Sequence, residues 1–197
     1  MFKKLSLGLG LAILLATMSF SAELVLNGGL DNWTAGVPDG NWSLVQVDGN
    51  GTTGGTQPTI TQESTDKHGG ISSLKIHRTA TDAIYKYCAH TNPISGLSGD
   101  VNFSFWIKRI PASTTCGIYL SSSTDGGITW KVDNTKNGVS TADGWQNLTG
   151  TWTLTAGPLY RLSVHTRASG DTYYDDVSLT GTTGTPVPVE LSEFTTE

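Results

Sequence analysis

The stretch Val101-Asn-Phe-Ser-Phe-Trp-Ile-Lys108 alternates without a break, with Val101, Phe103, Phe105 and Ile107 on one side and Asn102, Ser104, Trp106 and Lys108 on the other. Side chains that change face at every residue belong to a strand with one face buried. Leu159 to Arg167 repeats the pattern, setting Tyr160, Leu162 and Val164 against Arg161, Ser163, His165 and Arg167. Outward from these, strand candidates fall at 23–27, 42–47, 71–78, 83–88, 115–122, 127–132, 145–155 and 172–180. Turn signals separate them: Pro38-Asp-Gly40, Asp48-Gly-Asn-Gly51, His68-Gly-Gly70 and Asp125-Gly-Gly127. Beyond the first turn-free leader, no window of about 12 residues carries a helical stripe. Short, regularly spaced strands with such turns predict an all-β chain, a two-sheet antiparallel β-sandwich of the jelly-roll type.

Composition points the same way. Of 197 residues, 24 are Gly, 29 Thr and 19 Ser, and 15% are charged, against roughly 25% in an average soluble domain. Polarity therefore rests on hydroxyls, which suit strands and turns. The formal charge is −5 with no basic block; phosphate binding needs clustered cations, so nucleic acid is not an expected partner.

Lys3 and Lys4, the apolar run from Leu5 to Met18 and the small residues Ser19, Ser21 and Ala22 read as a secretory leader over residues 1–21. Such a run is too short for a stable membrane span. The body, residues 22–180, is expected to be exported and secreted or held at the cell surface. In an oxidising compartment Cys88 and Cys116, both in strand-like surroundings, would pair. That disulfide would close a loop of about 27 residues, worth ~3 kcal/mol; the alternative is two buried thiols. Residues 181–197 change character. Gly181-Thr-Thr-Gly-Thr185 is a flexible spacer, Pro186-Val-Pro188 a stiff one, and Val189 to Glu197 reads as the first strand of a following domain, the alternative being a disordered end.

Enzyme signatures are missing: there is no G-x-S-x-G, H-E-x-x-H, phosphate loop or dinucleotide fingerprint. Outside the tail the body offers only Glu23 and Glu63 plus scattered aspartates. Asp175 and Asp176 are neighbours, so on a regular strand they point to opposite faces and cannot flank one bond. Ser123-Thr-Asp-Gly-Gly-Ile-Thr-Trp130 fits S-x-D-x-G-x-T-W and resembles the Asp-box hairpin of sialidase-type propellers. There the motif recurs in each blade; a single copy implies a stable hairpin and no catalysis.

Several segments together carry a wider resemblance. Leu24-Val-Leu-Asn-Gly-Gly-Leu-Asp-Asn-Trp33 is followed by Gly36-Val-Pro-Asp-Gly40, Trp42, His68-Gly-Gly-Ile-Ser-Ser-Leu-Lys-Ile76, Phe103 to Lys108, Gly144-Trp145-Gln and Tyr174-Asp-Asp-Val-Ser-Leu179. In this order they resemble the galactose-binding-like jelly-roll carbohydrate-binding modules attached to secreted glycanases. The resemblance implies a structural calcium ion where the first and last strands meet, with Asp31 and Asp175 at the acidic positions and Asn27 and the loop around Asp66 completing the shell. The alternative for Asp31 is that it caps a turn. The resemblance also implies structural roles for Trp33, Trp42, Trp145 and Trp152.

Such modules lay sugar rings on aromatic faces and hydrogen-bond the hydroxyls. The alternation puts Trp106, Tyr119, Arg161 and His165 opposite the core, and if their strands neighbour one another in one sheet they build a glycan surface. There Trp106 and Tyr119 would stack, and Lys108, Arg161 and His165 would hydrogen-bond; Tyr85 and Tyr87 are further candidates. The expected function is non-catalytic binding of a polysaccharide or oligosaccharide. The alternative is a structural or adhesive spacer, which a closed surface with a loop over Trp106 would favour. Finally, Pro186-Val-Pro-Val-Glu-Leu-Ser-Glu-Phe-Thr195 resembles the opening that follows spacers in large type IX secreted proteins of Bacteroidetes-like bacteria. It implies a longer multidomain chain.

Overall fold

In the computed structural model, the described residues are 21–44, 58–79, 87–111, 115–138 and 144–181, excepting the side chains of Tyr87 and Cys88. Thirteen strands run in order among them: β1 (Ala22–Glu23), β2 (Trp33–Thr34), β3 (Val37–Pro38), β4 (Trp42–Leu44), β5 (Thr59–Glu63), β6 (Ser73–Arg78), β7 (Tyr87–Thr91), β8 (Gly99–Ile110), β9 (Cys116–Ser123), β10 (Lys131–Asn137), β11 (Gln146–Leu154), β12 (Leu159–Thr166) and β13 (Gly170–Gly181). The alternating stretch that opens the sequence reading is the middle of β8, buried at Val101, Phe103, Phe105 and Ile107 and open or half-open between them.

Two antiparallel sheets face each other. One has the order β11-β8-β13-β6-β5, with β1 also on β13; the other has the order β10-β9-β12-β7-β4; β2 and β3 form a small ribbon. Alternation in both sheets sends one apolar row inward. Phe103, Phe105, Ile107, Leu74, Ile76, Tyr174 and Leu179 come from the first sheet and meet Ile118, Leu120, Tyr160, Leu162 and Val164 from the second. Trp42 and Trp152 join this core and Trp33 packs against it. Two arginines also sit inside: Arg78 donates to the Thr166 carbonyl at 2.9 Å, and Arg109 to the Thr172 hydroxyl at 3.1 Å and to the Ser169 carbonyl.

Four expectations change. Residues 127–130 belong to the hairpin turn, and the strand begins at Lys131. Strand β5, whose inward residue Ile60 is only partly buried, has no apolar alternation to announce it. The neighbours Asp175 and Asp176 do not part as they would on a regular strand. A bulge between Asp175 and Ser178, with Asp176 at φ +46°, aims both carboxylates at the 68–69 loop.

The fourth change is the Cys88–Cys116 pairing. Cys88 lies on β7 and Cys116 on β9, and β12 runs between them. Two inter-strand spacings of about 4.8 Å each put the backbones beyond disulfide reach. Cys116 is instead a buried thiol, pushed up to about 12 by burial. Residues 1–20 of the expected leader and residues 182–197 of the tail lie outside the described residues.

Candidate functional site

The outer face of the five-stranded sheet follows from the inward row. Because Ile118, Leu120, Leu162 and Val164 turn to the core, Tyr119, Ser121, Arg161, Ser163 and His165 turn away from it. Register aligns Tyr119 with Ser163, Ser121 with Arg161 and Gly117 with His165. Carried across all five strands, one row reads Thr135, Tyr119, Ser163, His90, Ser43. Tyr87 takes the position opposite His165, and Tyr85 lies outside the described residues.

This face is closed. The Tyr119 and His165 rings stack with centroids 3.8 Å apart at 8° and are 3% and 0% exposed. Tyr119 is therefore not the open platform the alternation suggested, because the flat ring of its neighbour already covers it. Burial, with the charge of Arg167 second, pushes the His165 imidazole down to about 3. It is neutral at ordinary pH and offers one donor and one acceptor. Burial also lowers the neighbouring His90. The hydroxyls of Ser121 and Ser163 are buried and have no hydrogen-bond partner among the described residues. Neither serine was singled out by sequence; both sit where the alternation demands a polar residue. The guanidinium of Arg161 lies 4.2 Å from the centre of the Trp130 ring, within cation–π range.

Trp106 and Lys108 do not join this group. They project from β8, in the six-stranded sheet, so the core separates them from Tyr119, Arg161 and His165. The ring of His68 lies on Trp106 at 3.5 Å and 14°, with Trp145 edge-on to His68 at 6.0 Å and to Tyr173 at 6.3 Å. Trp145, expected in the core, thus belongs to this outer cluster. Lys108 Nζ is 2.7 Å from Asp66 Oδ2. One Trp106 face and the Lys108 charge are both engaged by the 66–72 loop. Beside them Asp171 meets His77 at 2.6 Å and Lys75 at 3.0 Å. Partial burial opposes the Asp171 charge, yet these partners together hold its carboxyl below the usual range.

The four residues expected around calcium have partners of their own. Asp31 Oδ1 accepts from the Ile71 and Ser72 N–H groups at 2.5 and 2.9 Å. Asp175 Oδ2 accepts from those of His68 and Gly69 at 2.8 and 3.0 Å. The Asn27 amide donates to the Asn32 and Asp39 carbonyls, and Asp66 holds Lys108. Two aspartates thus brace one loop from either side. Among the described residues no three His, Cys, Asp or Glu side chains gather to hold a metal.

The Asp-box stretch forms the β9–β10 turn. Asp125 accepts from the Ile128 and Thr129 N–H groups at 3.1 and 2.9 Å and from the Ser123 hydroxyl at 2.7 Å, and Trp130 Nε1 donates to the Gly127 carbonyl at 2.9 Å. The Thr129 hydrogen bonds lead in holding the Asp125 carboxyl well below the usual range.

No protein-family model and no curated protein sequence matches this chain. Solved structures do. The CBM22-1 xylan-binding domain of Paenibacillus barcinonensis Xyn10C superposes with TM-score 0.56 at 14% identity, covering 82% of this chain and 96% of that one. The likeness is one of fold. The chain is an all-β jelly-roll sandwich of the architecture seen in carbohydrate-binding modules. The arabinose-bound MgGH51 α-L-arabinofuranosidase matches with TM-score 0.55 at 12% identity over 80% of this chain and 26% of that enzyme. The CBM22-1-GH10 modules of Clostridium thermocellum Xyn10B match with TM-score 0.52 at 15% identity, over 81% and 28%.

Proposed function

We propose that the chain is a non-catalytic module that binds a polysaccharide of the xylan class on the outer face of its five-stranded sheet. The observation that carries this reading is the pair of buried hydroxyls of Ser121 and Ser163, without partners among the described residues. Buried hydroxyls almost always have a partner, and a sugar hydroxyl would supply one to each. Tyr119, His165 and Arg161 surround them with a ring and donors, and the transverse row from Thr135 to Ser43 gives an extended chain a path across the strands. Both hydroxyls are buried, so a ligand that pairs with them must displace what now shields them from solvent. Xylan is the first choice because a xylan-binding domain shares this fold along nearly its whole length. Export through the leader, attachment to further domains and a calcium ion held by Asp31, Asp175 and backbone carbonyls belong to the same proposal.

The test is calorimetry and pull-down of the full chain with xylan, cellulose and mannan, with and without a calcium chelator. Saturable xylan binding is expected. Ser121→Ala with Ser163→Ala should weaken it about tenfold and leave the melting temperature equal or higher, because an unpaired buried hydroxyl contributes nothing to the fold. Unchanged affinity in that double variant removes the face. A melting temperature indifferent to chelation removes calcium.

The spacer reading has its own observation: a loop does lie over Trp106. A folded chain that binds no glycan decides for it.

A further inference from the structure

We infer a second saccharide subsite at the open side of the sandwich, between the edge strands β10 and β11, that takes a neutral pyranose unit. The inference takes its ligand class from the glycan reading; the place is separate from the sheet face. Strand β10 ends one sheet and β11 ends the other. Between them, beside the β9–β10 turn, lies a groove of about 500 Å³, within the roughly 300–1,000 Å³ of small-molecule sites. Its lining mixes apolar Trp130, Leu154 and Pro158 with polar Ser122, Asp133 and Asn134. That mixture suits a sugar ring, which has an apolar face and a hydroxyl edge.

Three details build the site. The Trp130 ring is fixed in advance, because its Nε1 is bonded to the Gly127 carbonyl and the Arg161 guanidinium lies over it. Arg161 sits on this ring and is not among the residues that line the groove. A ring already held in place loses little side-chain freedom when a ligand stacks on it. Second, Asp133 and Asn134 are consecutive and would point to opposite faces of a regular strand. The register breaks between Val132 and Asn134, and this bulge lets both line the groove. Third, the charge of Asp133 is offset by Lys131, 3.8 Å away and 84% exposed. With these opposite charges both in its lining, the groove favours an uncharged, hydroxyl-bearing ligand over an anion or a cation.

Calorimetric titration of the full chain with xylotriose tests this. Two sites per chain are expected. Asn134→Ala, which leaves the hairpin bonds intact, should weaken one site at least tenfold and spare the other; Trp130→Ala, which also removes the ring beneath Arg161, should weaken that same site at least as much. The double variant Ser121→Ala, Ser163→Ala should do the converse. If Trp130→Ala and Asn134→Ala both bind as the wild type does, the subsite is overturned and the sheet face stands. If only the groove variants lose affinity, the subsite stands and the sheet face falls. A wild-type chain that takes up no xylotriose overturns the subsite as well.

Discussion

His165 shows how one residue ties the site to stability. Its imidazole is wholly buried and stacked on Tyr119, so protonation is disfavoured in the fold and the group titrates at about 3. In the unfolded chain it titrates near 6.5. Because the folded pKa lies below the unfolded one, the unfolded chain takes up the proton first as pH falls. Stability is full above about pH 6.5 and declines below it, by about 1.4 kcal/mol per pH unit once the unfolded histidine is charged. Burial shifts His90 the same way, steepening the same window. Thermal melts between pH 7 and pH 5 should show the loss, and His165→Phe, which keeps a flat ring against Tyr119, should flatten it. An unchanged slope in that variant would mean that other groups carry the acid sensitivity. Sequence put His165 on the outer face correctly; its burial depends on what lies above the strand, which alternation does not encode.

At the scale of elements, close approach explains what patterning does not. The N-G-G turn after β1 bonds to β13 through the Val177 N–H and the Gly28 carbonyl at 2.8 Å. A Cβ on Gly28 would lie 1.9 Å from the Val177 carbonyl oxygen. Gly28→Ala must push the turn off β13 and should destabilise the chain by roughly 1–3 kcal/mol in denaturant titration; a neutral result would show that the turn yields freely. Strand order makes the other element-scale prediction. With β12 between β7 and β9, the two cysteines are expected not to pair with each other. Melting should be the same with and without reductant, and both thiols should react with a thiol reagent in denaturant. A reductant-sensitive melt would overturn the strand order. Reading these two as strand residues needed only local pattern. Their separation is a matter of sheet order, which no local pattern contains.

On the scale of the molecule, the sandwich has two outer faces that are built differently. Around Trp106 the His68 ring, Trp145, Tyr173 and the Lys108–Asp66 pair make a braced cluster. Around Ser163 the outer face holds buried hydroxyls without partners among the described residues. Trp106→Ala should therefore lower stability by about 1 kcal/mol and leave glycan affinity within twofold; a large loss of affinity would move the site to the six-stranded sheet. Period-two alternation and turn chemistry within a few residues were enough for the all-β class, the two clearest strands with their outward side chains, and the Asp-box turn. Only the tertiary structure decided which strands neighbour one another. That choice separated Trp106 from Tyr119, kept the cysteines apart, brought Asp175 and Asp176 to one loop, and opened a groove between two edge strands. Sheet order, bulges and loop cover are set by packing between residues far apart in the chain, and alternation along one strand is blind to them.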